Sequence, residues 1–355
     1  MNINDILIGW YSKNRRDFWW RKDRNAYRIW ISEIIFQQTR IAQGDSYLVK
    51  FLGMFPDVLS LASAESDEVL LAWQGLGYYS RALNLHRTAR KIVQERRGVF
   101  PATYVEWLAM PGVGSYTAAV LASLTLGERV PAIDGNVRRI VSRWLALDSP
   151  ASSSHFYHTA FSFLKKEMGD GDPGMFNEAM MDFGALVCTP VAPGCSRCPF
   201  RKTCKAFLLN KSTEFPVAIK KIKREERLII YLILQHGKQI TIRRRPGEGI
   251  WKNMYDFPAL EYTRPWPTEK GIRNDIAGLM TEHVKYKEIM TFRHELSHRR
   301  LRVRVLMIEK TAEFRKNPKF IRINISHIHK YALPRPVQNI LAALKNNVSL
   351  PSKIK

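Results

Sequence analysis

Residues 107–126 read WLAMPGVGSYTAAVLASLTL. An apolar helical segment ends at Pro111. The turn Pro111-Gly112-Val113-Gly114 follows, and a second helical stretch opens at Ser115. The two glycines allow positive φ and let the backbone approach another group closely. Gly112, Val113 and Gly114, with the amides at the start of the second helix, would make an anion site suited to a DNA phosphate. Such a helix–hairpin–helix grips the backbone without reading bases. A plain tight turn between two helices is the simpler alternative.

The charge balance bears on that choice. The chain has 355 residues, 56 Lys and Arg against 32 Asp and Glu, a formal net of +24, and it is 45% hydrophobic. That excess asks for a polyanion, with nucleic acid favoured over a membrane surface. No apolar run nears the roughly 20 residues of a spanning helix. The N-terminus shows no basic-then-apolar leader, so a cytoplasmic protein is expected.

Outward from the hairpin, the first two hundred residues read as helices with no strand alternation. Asn25 is a possible cap for a helix running through WISEIIFQQTRI, which sets Ile31, Ile34, Ile35 and Gln38 on one side. Glu33 stands among apolar neighbours on that helix. It is either a solvent-facing carboxylate or an acid kept protonated for a purpose. Turns fall at GLGYY (75–79), with two exposed-looking tyrosines, and at AIDGN (132–136). Asp134 suits an N-cap and equally a catalytic carboxylate. After Cys204 the texture changes. A basic, proline-containing stretch suits a linker, and strands follow in RLIIYLILQ, KQITIRRR, YKEIMTF and RRLRVRVLMIEK, with helices at 269–283 and 335–346.

All four cysteines lie in one short stretch: Cys188, Cys195, Cys198 and Cys204, spaced C-x6-C-x2-C-x5-C. Clustered thiolates in a reducing compartment bind metal. Their chemistry serves an iron–sulfur cluster or a zinc ion.

Taken together, WWR, WISEIIFQQTRI, GLGYYSRALNLH, MPGVGSYTA, AIDGNVRR, FNEAMMDFGALVCTP and the cysteine spacing resemble the MutY family of adenine DNA glycosylases, in the same order over residues 5–210. The C-terminal half resembles its Nudix-like recognition domain more loosely. The resemblance implies a mostly α helix–hairpin–helix glycosylase domain over 1–210 with a [4Fe–4S] loop at 188–204. A linker at 211–226 and an α+β Nudix-like domain at 227–346 follow. It implies excision of adenine mispaired with 8-oxoguanine or guanine in duplex DNA by a monomer that flips the base out. Glu33 would be the general acid at adenine N7, and Asp134 would stabilise the oxocarbenium ion. Arg16, Trp20, Arg21, Tyr116, Asn136 and Glu178 would form the adenine pocket. Gln38 and Tyr78 would fill the gap opposite 8-oxoguanine, and the four cysteines would hold the cluster. Tyr116 stands where lyase-active relatives carry a Schiff-base lysine, which implies a monofunctional enzyme.

The resemblance departs at Leu296-Ser297-His298, where the family often has Phe-Ser-His. Ser297 and His298 would keep the contacts to 8-oxoguanine, while the intercalating aromatic is lost. Arg293, Arg299, Arg300, Arg302 and Arg304 would meet phosphates, or form a solvated strand face. Residues 268–283 lack the glutamate-rich metal motif of a nucleotide hydrolase. Two rivals share many of these features. One is a thymine-mismatch glycosylase with the same tyrosine, and the other is a non-catalytic iron–sulfur DNA-binding protein. Glu33 argues against the first, because pyrimidine release has less use for a purine-N7 acid, and retention of both carboxylates argues against the second.

Overall fold

The computed structural model describes residues 3–217, 224–309, 312–346 and 353–354. Residues 218–223 of the expected linker lie outside this range. The helices are α1 (Ile3–Asn14), α2 (Ala26–Phe36), α3 (Ile41–Met54), α4 (Val58–Ser63), α5 (Ser66–Ala72), α6 (Ser80–Arg96), α7 (Tyr104–Leu108), α8 (Ser115–Leu126), α9 (Gly135–Leu145), α10 (Ser154–Glu167), α11 (Pro173–Leu186), α12 (Lys205–Leu208), α13 (Glu269–Leu279) and α14 (Arg335–Asn346). The strands are β1 (Glu225–Ile233), β2 (Gln235–His236), β3 (Gln239–Arg244), β4 (Tyr255–Asp256), β5 (Ala259–Thr263), β6 (Tyr286–Glu295), β7 (Arg299–Ile308), β8 (Phe320–Asn324) and β9 (Lys353–Ile354). The first strand thus begins two residues inside the stretch expected as linker.

The chain forms two compact units, residues 1–63 with 84–221 and residues 64–83 with 222–355. The first unit is helical and α8 is its axis. Every residue from Thr117 to Leu124 is buried, and α2, α7 and α11 pack on it. A helix enclosed on all sides needs small side chains where its neighbours come close. Ala118, Ala119, Ala122 and Ser123 supply them, and Gly174 of α11 reciprocates, since a Cβ there would lie 2.8 Å from Leu124 Cδ2.

Asn25 caps α2 as its sequence suggests, its side chain accepting from Arg28 N. The helix stops sooner than the apolar pattern indicates, at Phe36. Gln38 adopts φ +56, a left-handed conformation that a helix cannot contain. Gln38 therefore leaves the face of Ile31, Ile34 and Ile35 and sits in a turn before α3.

The second unit holds two sheets. In the larger, of order β5-β1-β7-β6-β9, β1 and β7 run parallel at the centre while β5 and β6 pair antiparallel on either side. Both faces are covered. Ile229, Tyr231, Leu301, Val303 and Val305 join the cluster that holds Val337 and Ile340 of α14. Leu228, Ile230, Leu232 and Leu306 pack with Ile272 and Ile276 of α13. Burial on two faces explains why RLIIYLIL reads as one apolar run. The smaller sheet sets β3 between β2, β4 and β8. The two-residue β4 and the short β5 and β8 have no sequence pattern strong enough to reveal them. Residues 64–83 are tied into this unit by Asp67, which pairs with Arg244 at 2.8 Å and accepts from the Tyr255 hydroxyl at 2.8 Å. Gln74 accepts from Leu333 N at 2.7 Å.

Candidate active site and nucleic-acid interface

In the helical unit, an open cavity of ≈ 780 Å³ is lined by Arg16, Trp20, Arg21, Glu33, Gln38, Gly112, Gly114, Tyr116, Asp134 and Asn136, among others. Residues more than a hundred positions apart in the chain meet here. Glu33 enters from the middle of α2, Tyr116 from the first turn of α8, and Asp134 from the start of α9.

The Tyr116 hydroxyl donates to Glu33 Oε2 at 2.8 Å and also contacts Met181 Sδ at 3.1 Å. Burial pushes the Glu33 carboxyl up to about 7, helped by the nearby carboxylates Asp134 and Glu178. The Tyr116 hydrogen bond and the Arg21 charge pull the other way and only partly offset it. Burial also drives the Tyr116 hydroxyl well above its ordinary range.

Asp134 is the N-cap that its sequence suggests, and it also lines the cavity. It caps α9, Oδ1 accepting from Val137 N at 2.7 Å, and its other oxygen accepts from Asn136 Nδ2 at 2.9 Å. Burial raises its pKa against those hydrogen bonds and the Arg139 charge. Arg139 fixes the amide in turn, donating to Asn136 Oδ1 and to Gly184 O, each at 2.9 Å. A Cβ on Gly184 would lie 2.6 Å from Asn136 Cβ. Sequence reading missed Arg139 and Gly184. Only the packing of α9 against α11 exposes their part.

Trp20 is 6% exposed. Phe18 and Phe36 each stack on it with ring centroids 4.6 Å away, so little of the ring is left for a ligand. Glu178 accepts from the Tyr11 hydroxyl at 3.1 Å and pairs with Arg21 Nε at 3.2 Å. Both Arg16 and Arg21 turn to Asp182 of α11, which the sequence reading passed over.

The hairpin closes the cavity on another side. Gly112 has φ +74, and a Cβ there would fall 2.5 Å from Asn84 Cβ, so glycine is required twice over. Gly114, expected to need the same freedom, has φ −89 as the cap of α8. Val113 is buried, and its amide donates to Met110 O at 3.1 Å within the turn. Its amide therefore serves the turn. The first-turn amides of α8, which helix geometry leaves without partners along the helix, remain beside the cavity.

All four cysteines, with Arg143, line a separate small cavity. Arg143 is 2% exposed; it donates to Cys188 Sγ at 3.4 Å, Thr189 O at 2.7 Å and Pro190 O at 2.9 Å. Burial pushes the Cys198 thiol up to about 11 and raises Cys204 as well. Among the described residues, no group of three or more His, Cys, Asp or Glu side chains is arranged to hold a metal ion.

In the second unit, residues 296–298 form the turn between β6 and β7, closed by Leu296 N donating to Arg299 O at 2.9 Å. Leu296 packs on the core, while Ser297 and His298 are exposed. Tyr78, at φ +48 and 44% exposed, hydrogen-bonds the Ser297 hydroxyl. Its neighbour Tyr79, which the sequence suggested was exposed, is 7% exposed. The β7 arginines are also less free than expected. Arg299 pairs with Glu225 at 2.7 Å, Arg300 with Glu295 at 3.4 Å, and Arg304 with Glu269 at 2.7 Å and Glu288 at 2.8 Å. Acidic residues on neighbouring elements, invisible in the β7 pattern, claim them.

Family comparison agrees with this architecture. Residues 31–162 match the HhH-GPD superfamily of base excision DNA repair proteins, and residues 229–343 match the NUDIX domain. A thermostable thymine-DNA glycosylase superposes with a TM-score of 0.54 at 25% identity, covering 58% of this chain and 94% of that one. Fold and cavity thus define a helix–hairpin–helix DNA glycosylase with a Nudix-like second domain. The adenine DNA glycosylase of Buchnera aphidicola subsp. Acyrthosiphon pisum is 31% identical over 353 residues, 98% of each chain. That of Homo sapiens is 40% identical over 210 residues, 56% of this chain and 38% of the human protein. This chain belongs to the adenine DNA glycosylase family, hydrolases of the N-glycosidic bond in base excision repair.

Proposed function

We propose that this enzyme hydrolyses the N-glycosidic bond of adenine paired with 8-oxoguanine or guanine in duplex DNA, with Glu33 as general acid and Asp134 as the stabilising carboxylate. The meeting of Glu33, Tyr116 and Asp134 in one cavity, with Glu33 raised to about 7, carries the reading. An acid poised near neutral pH can both hold and deliver a proton.

The adenine must leave the stack to reach the cavity. Tyr116 donates to Glu33 Oε2, which leaves Oε1 to present its proton to N7. The protonated base then departs as a neutral leaving group. Asp134, pinned by Val137 N and Asn136, places negative charge beneath the positive sugar before water adds. The two carboxylates divide acid and electrostatic roles as in glycosidases. With tyrosine at position 116, no amine is at hand for strand scission.

Cys188, Cys195, Cys198 and Cys204 would hold a [4Fe–4S] cluster. Four cysteines line one cavity, and burial raises the Cys198 and Cys204 thiols, which a cationic centre would ionise. Bound there, the group would brace the basic loop, while Glu33 and Asp134 of the other cavity carry the hydrolysis. In the second unit, Tyr78, Ser297 and His298 would read 8-oxoguanine, supported by the Tyr78–Ser297 hydrogen bond and the exposed turn.

The test is single-turnover excision on a duplex with one adenine opposite 8-oxoguanine, with products resolved before and after alkali. Breaks only after alkali are expected. Release of thymine from a thymine–guanine duplex, with adenine untouched, would replace this reading by the thymine-mismatch one.

A further inference from the structure

We infer that Asp182 is a positioning residue for excision, holding Arg16 and Arg21 on one buried carboxylate and cancelling their charge beside Glu33. Asp182 is 0% exposed. Oδ2 accepts from Arg16 N at 2.9 Å, and Oδ1 from Arg16 Nε at 2.9 Å and Nη2 at 2.7 Å. Arg21 Nη1 reaches both oxygens, at 3.1 and 3.2 Å. The two guanidinium carbons each sit 4.9 Å from the Phe18 ring centroid. One carboxylate thus binds two cations that line the Glu33 cavity. A carboxylate fully removed from water is costly to keep unless its charge does something for its surroundings.

The electrostatics around Glu33 say what that is. Tyr116 faces it from α8, Asp134 from the start of α9, Glu178 from α11, and Arg21 from the turn at Trp19–Arg21. Tyr11 of α1 donates to Glu178. The Arg21 charge pulls the Glu33 proton off, and Arg16 stands on the same wall. Glu178 meets Arg21 as an ion pair at 3.2 Å, but burial raises its own pKa. Asp182 supplies the fixed negative charge that leaves the arginines able to bind without deprotonating the acid.

This inference rests on the reading of Glu33 as the general acid. The test is the pH dependence of single-turnover adenine excision in Asp182→Asn, which keeps shape and one acceptor but removes the charge. In the wild type the rate should decline as pH rises through about 7. In Asp182→Asn the decline should begin about one pH unit lower, with roughly tenfold loss on the alkaline side and little on the acid plateau. Arg21→Met should move the decline upward, and the double variant should return it towards wild type. A side chain that only braces the fold would lower the rate equally at every pH, so parallel profiles overturn the inference. If Asp182→Asn shows no cooperative melting transition, the double variant and Asp182→Glu decide. Both should keep the wild-type midpoint, and a displaced midpoint in either rejects the idea. Glu33→Gln in the same assay separates the two levels. Full activity there removes the general-acid reading itself. An inactive Glu33→Gln beside an unshifted Asp182→Asn removes only the role of Asp182.

Discussion

Glu33→Gln keeps the shape of the side chain and deletes its proton. Excision should fall by about 10²–10⁴-fold, the usual worth of a positioned general acid, while duplex affinity stays near wild type. Wild-type affinity with wild-type rate in this variant would remove Glu33 from the mechanism. Stability should move the other way. An acid whose pKa is raised on folding contributes stability below its unfolded value, and that contribution is lost as pH climbs through the folded value of about 7. The glutamine variant should therefore melt higher than wild type at about pH 8, by roughly 1–3 kcal/mol, and nearly equally at about pH 4. Thermal melts at the two pH values check this. Tyr116→Phe removes the hydrogen bond that lowers the Glu33 pKa. The alkaline decline in rate should shift upward, and an unmoved or lowered decline would contradict the Tyr116–Glu33 contact.

Glycines decide the outcome at the scale of elements. Gly112→Ala must adopt φ +74 and place a Cβ against Asn84. A loss of about 1–3 kcal/mol in stability is expected, with weaker binding of any duplex, matched or mismatched. Gly184→Ala would instead press on Asn136 and disturb Asp134, so excision should fall more than affinity. Comparing rate and affinity for the two variants tests whether the hairpin grips DNA while α9 serves chemistry. Within the cysteine loop, Cys198→Ser should abolish a visible absorption band near 400 nm and lower the melting temperature. An intact band would deny that Cys198 is a ligand.

For the whole molecule, the net charge of +24 dictates that duplex affinity falls steeply with salt, as phosphate contacts release counterions. A flat response would exclude a basic DNA-binding surface. The paired β7 arginines qualify the expectation, because exposed ion pairs of this kind are worth about 0–1 kcal/mol and exchange readily for phosphate. The proposed reading of 8-oxoguanine by Tyr78, Ser297 and His298 can be tested in the second unit. Ser297→Ala should narrow the preference for adenine opposite 8-oxoguanine over adenine opposite guanine, leaving the second rate almost unchanged. No helix among the described residues is long and apolar enough to cross a membrane.

What the sequence determined by itself is local. The Asn25 cap, the turn at Gly112, the apolar setting of Glu33, the cysteine spacing and the strands β1 and β7 are each written within one stretch of chain. Short-range sterics and hydrophobic periodicity decide them. What tertiary structure decided involves partners distant in sequence. Asp182 gathers Arg16 and Arg21, Arg139 orients Asn136 beside Asp134, and Glu269 and Glu288 claim Arg304. Residues 64–83 also group with strands far along the chain. Charge pairing and close packing act through space, so the pattern around any one of these residues carries no trace of the other. The same reason limits the sequence view of the site: it can nominate Glu33, but its pKa follows from the side chains folded around it.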